Sequence, residues 1–175
     1  MSHHQSSEVS LFSPVSLCQL ALLTAFIAVT GAIKIPNVIP GVDFQLSAPL
    51  AVAICAVFGF KRYIVAGCLA SVISLLLGTQ TLLHVAIALQ FRLWVGLFLY
   101  VGRRHWLSII LAGPIASALA RLSLYPLFGD LVFAMVTAAI PGYLFTACAA
   151  PFVTTLLRRI LQAATSYGPH RAMLG

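Results

Sequence analysis

Two arginines stand inside long apolar runs of this sequence, and they are its strongest candidates for binding chemistry. Arg92 interrupts the apolar run at 81–101, and Arg121 lies one turn from the outer end of the next run. An arginine near the centre of a membrane span costs roughly 2.5–3.5 kcal/mol on insertion scales, so it normally faces protein or a wet cavity. We interpret Arg92 as a cation that faces a polar ligand, most simply a carboxylate. The alternative is a structural pair, for example Arg121 with Asp130.

Two further polar residues, Gln80 and His84, precede Arg92 at the outer end of the same run. His84 stands eight residues before Arg92, which corresponds to about 12 Å along a helix, so both side chains can line one cavity without sharing a contact. The alternative for His84 is an ordinary polar helix end, since no paired-histidine metal spacing accompanies it. We predict a substrate site at this end, to which Gln80, His84, Arg92, Arg121 and Asp130 contribute.

No combination of residues resembles a catalytic centre. A hydrolase needs a nucleophile beside a base, and an intramembrane protease needs such groups inside its spans. Asp43 and Asp130 fall in predicted loops, and no carboxylate interrupts an apolar run. The missing buried acids also disfavour an autonomous proton-coupled carrier. Because no glycine-rich phosphate loop is present either, we expect a protein without enzymatic activity or cofactor, and any energy must come from another chain.

The composition indicates a membrane protein. Of the 175 residues, 61% are hydrophobic and 7% are charged, against about 45–50% and about 25% in soluble domains. A spanning helix needs roughly 20 residues, so the chain has room for six. We predict an all-α bundle of six transmembrane helices in one domain (16–162), between a polar N-terminal tail (1–15) and a flexible C-terminal tail (163–175). The predicted helices are Ser16–Ile33, Leu46–Phe60, Tyr63–Leu77, Thr81–Val101, Trp106–Tyr125 and Leu131–Leu157.

The basic residues predict the orientation of this bundle. Under six spans, only Lys34 falls in a loop on one side. The positive-inside rule therefore places both termini in the cytoplasm of a multi-pass inner (plasma) membrane protein. The net charge of +7 is explained by topology, so no nucleic-acid partner is expected. The basic residues on the opposite side from Lys34 are Lys61, Arg62, Arg103, Arg104, Arg158, Arg159 and Arg171.

Small residues at helical spacing form a second signal. Ala21 and Ala25 are four residues apart in the first predicted helix, and such pairs let another helix approach closely. Similar strips occur at Gly67/Ser71 and Gly113/Ser117. Packing within the bundle is the usual explanation of such strips, and contact with a partner subunit is the alternative.

The stretch from Leu20 to Gly78 resembles the substrate-binding S component of energy-coupling factor (ECF) vitamin transporters. The resemblance rests on the alanine-rich first helix, the external segment from Lys34 to Phe44, and the apolar helix that ends in Phe58-Gly59-Phe60-Lys61-Arg62. A third helix rich in small residues follows. The size, the six spans and the cytoplasmic termini also fit this family.

The resemblance implies a six-helix subunit without ATPase activity. Such a subunit binds a micronutrient in an outward-facing cavity and delivers it with a transmembrane scaffold subunit and two ATPases. By position, Ala21 and Ala25 would face the scaffold, and Asn37, Asp43 and Gln45 would belong to a lid loop over the substrate.

The sequence departs from two branches of that family. The glycine-rich signatures of its biotin-specific members are absent from the later helices. Nickel and cobalt members carry a histidine directly after the initiator Met and an extra span, whereas Ser2 intervenes here, so no metal is predicted. Two other classes stay open on the residues alone: a small structural membrane protein of a cell-envelope complex, and a small channel or autonomous carrier.

Overall fold

The computed structural model describes residues 14–35, 44–45, 47–102 and 105–166, and it gives the backbone alone at 34–35, 44–45 and 165–166. Within these ranges every regular element is a helix apart from one pair of two-residue strands, which confirms the all-α class. The elements are α1 (Pro14–Ala32), β1 (Lys34–Ile35), β2 (Phe44–Gln45), α2 (Ser47–Phe58), α3 (Phe60–Leu76), α4 (Leu82–Val101), α5 (Trp106–Leu122), α6 (Tyr125–Phe128), α7 (Leu131–Ala138) and α8 (Ile140–Ser166).

Among the described residues, three helices are long and apolar enough to cross a membrane: α1, α4 and the part of α8 from Ile140 to Ala164. Helices α2 and α5 are also apolar but shorter. Large hydrophobic side chains cover the outside of the molecule, including Leu22 at 72% exposure and Leu76 at 82%. An outer surface of this kind is stable against lipid and not against water. The chain is therefore a membrane protein.

Helix α2 forms the centre of the bundle. All residues from Pro49 to Ala56 are buried, and α2 contacts α1, α3, α4, α5 and α8. With 12 residues it is about 18 Å long, which is shorter than the roughly 30 Å hydrocarbon core. Its neighbours therefore enclose it on every side, which explains why its sequence is apolar all round rather than on one face.

The turn between α2 and α3 lies earlier than the sequence predicts. Helix α2 ends at Phe58 and α3 begins at Phe60, so the basic pair Lys61–Arg62 stands in the first turn of α3 and not in a loop. Gly59 alone joins the two helices with φ +86°, a conformation that a side chain would strain. In this first turn Arg62 Nη1 donates a hydrogen bond to Gln19 Oε1 of α1, at 3.2 Å.

The prediction of a single helix at 131–157 was wrong. The structure divides it into α7 and α8, which meet at Ala139. The physical reason is Pro141, which has no amide hydrogen to continue the α7 ladder but fits the first turn of a new helix. The preceding predicted helix also ends earlier, because α5 stops at Leu122 and the short α6 follows. At the far end α8 continues to Ser166, four residues beyond the predicted domain.

A short antiparallel pairing closes the base of the loop between α1 and α2. Lys34 pairs with Gln45, and Ile35 pairs with Phe44. The predicted lid residues Asn37 and Asp43 lie outside the described residues. The backbone of Gln45 is described, and it stands two residues before α2 begins.

Candidate ligand-binding cavity

A cavity of about 150 Å³ lies at one end of the bundle. Its lining comes mainly from the C-terminal ends of α1, α3 and α5 and from the N-terminal ends of α2, α4 and α8. The loop between α1 and α2 begins and ends at this same end. Gln80, His84, Arg92 and Arg121 all line the cavity, so the structure brings together four of the residues that the sequence singled out.

Arg92 lies deepest, with 8% of its surface exposed. Its Nη1 donates a hydrogen bond to Ser71 Oγ of α3, at 2.6 Å. Gly67 makes room for it, because a Cβ at that position would stand 2.6 Å from Arg92 Cδ. Tyr63 also lines the cavity and is fully buried. We call Tyr63, Ser71 and Arg92 the floor group.

Arg121 forms a second, shallower group in the last turn of α5. Its Nη1 donates hydrogen bonds to Ser117 Oγ at 2.5 Å and to the Ser117 carbonyl at 3.1 Å. The guanidinium carbon also lies 5.7 Å from the centre of the Tyr143 ring at the start of α8, within the range of a cation–π contact. We call Ser117, Arg121 and Tyr143 the rim group. Arg121 is thus directed to Ser117 and Tyr143 rather than to Asp130.

His84 and Gln80 are held by the turn before α4. Thr81 caps this helix, since its Oγ1 accepts from the His84 amide at 3.4 Å and lies 2.6 Å from His84 Nδ1. The Gln80 amide reaches the end of α1, where a Cβ on Gly31 would lie 3.3 Å from Gln80 Nε2. The cap therefore fixes the His84 ring beside the cavity, as an N-cap residue at a helix start can do.

The remaining predicted site residues stand elsewhere. Asp130 is exposed and is not part of the cavity lining within the described chain. Asn37 and Asp43 fall outside the described residues. Ala21 and Ala25 are exposed on the outer side of α1, away from its buried residues Ser16, Leu23, Thr24, Ile27 and Gly31.

The sequence analysis did not predict the other members of the floor and rim groups as part of the site: Tyr63, Ser71, Ser117 and Tyr143. Ser71 and Ser117 were interpreted as parts of small-residue packing strips, whereas each accepts a hydrogen bond from a cavity arginine. For Ser117 a signal existed, because it precedes Arg121 by one helical turn. Tyr63 stands beside the basic pair at 61–62, where it resembles an interfacial aromatic residue.

The hydroxyl group of Tyr63 is buried and has no hydrogen-bond partner within the described part of the chain. An unpaired buried hydroxyl costs roughly 1–3 kcal/mol. Tyr63→Phe should therefore raise the thermal midpoint of the purified, ligand-free protein by at least about 2–4 °C. Tyr100→Phe is the matched control, since Tyr100 is 84% exposed and its change should leave the midpoint unaltered. A lower midpoint for Tyr63→Phe would mean that the hydroxyl has a stabilising partner.

Comparison with known proteins gives one informative relative. The chain is 46% identical over 149 residues to Protein BioX of Lysinibacillus sphaericus, a match that covers 85% of this chain and 90% of the relative. No protein-family profile matches the chain. No solved structure matches it either. Identity at this level over most of both chains means a shared fold and ancestry, and the chain therefore belongs to the BioX family.

Proposed function

We propose that this chain is the membrane-embedded substrate-binding subunit of an ECF-type importer. It captures a small micronutrient from the external side and delivers it with a scaffold subunit and two ATPases, and it has no enzymatic activity itself. The observation that carries the proposal is the cavity at one end of the bundle, into which Arg92 and Arg121 bring two cations. A protein with a purely structural role in the envelope gains nothing from such groups, which are expensive to retain at membrane depth.

The position of the cavity relative to the basic residues supports uptake from outside. In α3 the lining residue Ser74 lies about 20 Å from Lys61, and in α8 Tyr143 lies about 22 Å from Arg158, at 1.5 Å per residue. Most of the cavity lining thus lies at the opposite end of the bundle from these basic residues, and Tyr63 of the floor group is the lining residue that stands beside the basic pair in the described chain. Under the positive-inside rule the basic end is cytoplasmic, so the cavity faces the exterior of the inner (plasma) membrane.

The proposed topology has six spans and both termini in the cytoplasm, and cysteine labelling can test it. Single cysteines can be introduced at positions 43 and 103 of a protein in which Cys18, Cys55, Cys68 and Cys148 have been replaced. In intact cells an impermeant maleimide should label position 43 and miss position 103, and permeabilised cells should show labelling at both. Labelling at position 103 alone in intact cells would reverse the orientation.

The relative narrows the class of micronutrient. Its name places it among biotin-related proteins, which agrees with a role in vitamin uptake. We therefore propose a biotin-related compound as the cargo; biotin itself is not singled out, because the glycine-rich signatures of biotin-specific ECF members are absent from the later helices. The exposed pair Ala21 and Ala25 is the surface proposed for the scaffold subunit, because small residues let a second helix approach closely.

The decisive experiment identifies the bound ligand and then measures the transport of that ligand. The protein is purified from cells that express it with its genomic neighbours, and the bound small molecule is identified by native mass spectrometry. We expect the labelled compound to enter proteoliposomes only when the scaffold, the ATPases and internal ATP are present. Uptake by the isolated chain without ATP would indicate an autonomous carrier, and the absence of any bound compound or uptake would favour a structural envelope protein.

A further inference from the structure

We infer that the basic end of the bundle is a binding surface for anionic phospholipids of the adjacent membrane leaflet. Two pairs of cations form this surface, Lys61 and Arg62 in the first turn of α3 and Arg158 and Arg159 in α8. We call these four residues the basic surface. The inference goes beyond the proposed function and does not depend on it, because it concerns neither the cavity nor the ligand of the cavity.

The two pairs flank the end of α2. Helix α2 turns directly into α3 through Gly59, and it also packs along α8. Phe58, the last residue of α2, and Leu157, which stands directly before Arg158, are both packed against the same buried core. The four cations therefore occupy one end of the bundle and act together on whatever lies against it.

No acidic residue of the described chain neutralises the basic surface. Asp130 is the acidic residue among those that the structure describes, and it precedes α7 at the cavity end. Arg62 donates its hydrogen bond to the neutral Gln19 side chain, which orients the guanidinium and leaves its charge in place. Like charges on one surface repel one another, and an anion from outside the chain relieves this repulsion.

The start of α3 adds to the positive potential. A helix begins with the positive end of its dipole, where Asp and Glu are favourable and Lys and Arg are not. Here the first turn carries Lys61 and Arg62, and the N-cap residue Gly59 provides no side-chain hydrogen bond to the free amides. The charges of this turn are thus the reverse of those that an isolated helix favours, and an anion beside the turn compensates them.

Exposed apolar side chains beside the cations indicate that this anion is a lipid. The large apolar side chains next to the two pairs, all of them exposed, are Phe60, Val65, Leu156 and Ile160. An apolar surface of this kind is covered by lipid chains, and the cations stand where it ends. A phospholipid matches both parts, since its chains cover the apolar side chains and its phosphate accepts charge-assisted hydrogen bonds from Lys and Arg. A soluble acidic partner would leave the apolar part unmatched.

Native mass spectrometry of the full-length protein tests this inference. The protein is equilibrated in neutral detergent with equal amounts of phosphatidylglycerol and phosphatidylcholine that carry the same acyl chains, so the two probes differ in headgroup and net charge. We expect phosphatidylglycerol to be retained at least about fivefold more, the value of one cation near an anionic lipid surface. Equilibration at about 1 M instead of about 0.1 M salt should reduce the preference, because the Debye length falls from about 10 Å to about 3 Å.

Matched lysine variants locate the binding surface. Lys61→Gln and Lys34→Gln each remove one positive charge, but Lys34 stands in β1 at the cavity end. Lys61→Gln should lower the preference by up to about fivefold, and Lys34→Gln should keep it. Lys61→Arg retains the charge and should retain the preference. When all four residues of the basic surface are glutamine, the two lipids should be retained equally; if this fourfold variant does not fold, the wild-type and single-variant measurements still decide.

Three results would overturn the inference: equal retention of the two lipids by the wild-type protein, a preference that high salt does not reduce, or equal losses in the Lys34→Gln and Lys61→Gln proteins. Equal retention by the wild-type protein, together with loss of a co-purified partner subunit in the Lys61→Gln protein, would assign the surface to an acidic protein segment instead. No residue of the basic surface lines the cavity, so all these variants should keep their ligand affinity. A lipid preference without ATP-dependent uptake would therefore overturn the importer proposal and support this inference.

Discussion

Replacement of Ala21 and Ala25 by leucine is expected to abolish ATP-dependent uptake while the isolated protein still folds and binds its ligand. Both alanines are exposed on α1, on the side that its buried residues do not use. Leucine at these positions therefore adds bulk to the outer surface of the bundle. The larger side chains would keep a helix of the scaffold subunit away from α1, because close approach of two helices needs small residues at the contact. We expect transport to fall at least about tenfold, since a contact worth more than 1.4 kcal/mol is lost.

The control adds the same bulk to other outward faces. Ala134 of α7 and Cys148 of α8 are exposed, neither lines the cavity, and the double change to leucine should leave both uptake and binding unaltered. Normal uptake by the Ala21→Leu/Ala25→Leu protein would show that the alanine pair is not a subunit contact. A loss of ligand binding in that variant would show instead that the pair supports the fold of the isolated chain.

The cost of polar groups in a membrane made part of the cavity predictable from the sequence. Arg92 stands inside a run that is otherwise apolar, and a charge at that depth must face protein or water. The same reasoning selected Gln80, His84 and Arg121, and the structure places all four around one cavity. Their roles as ligand contacts stay predictions. Asp130 was included because it follows the outer end of the fifth predicted helix, yet it is exposed and does not line the cavity in the described chain.

The residues that sequence reasoning missed depend on contacts between helices. Ser71 and Arg92 lie on α3 and α4, and nothing in the periodicity of either helix shows that their side chains meet. Tyr63 stands near the basic end of α3, but it reaches the cavity floor from there. Pro141 was a local signal for the break between α7 and α8. It was outweighed by the continuous apolar run around it, since hydropathy alone does not distinguish one helix from two.

Loss of the Arg92 guanidinium should weaken ligand binding about ten- to a hundredfold, the value of a charge-assisted hydrogen bond in a desolvated site. Arg92→Ala tests this by calorimetry with the compound recovered from the wild-type protein. The substitution also removes a buried charge that no carboxylate of the described chain neutralises, so we expect the bundle to keep its fold. Unchanged affinity would make Arg92 a structural residue and would place the ligand elsewhere.

Gly67→Ala tests the position of this guanidinium rather than its presence. The new methyl group would overlap the Arg92 side chain, which must then move from the cavity floor and from Ser71. We expect a loss of affinity that approaches that of Arg92→Ala, although the charge remains. Gly96→Ala is the matched control, because its methyl group would overlap the ring of Phe60, which does not line the cavity. Overpacking at Gly96 costs roughly 1–3 kcal/mol of stability and should leave ligand affinity unchanged. Equal losses of affinity in the two glycine variants would mean that tight packing of α3 against α4 governs binding, and not the placement of Arg92.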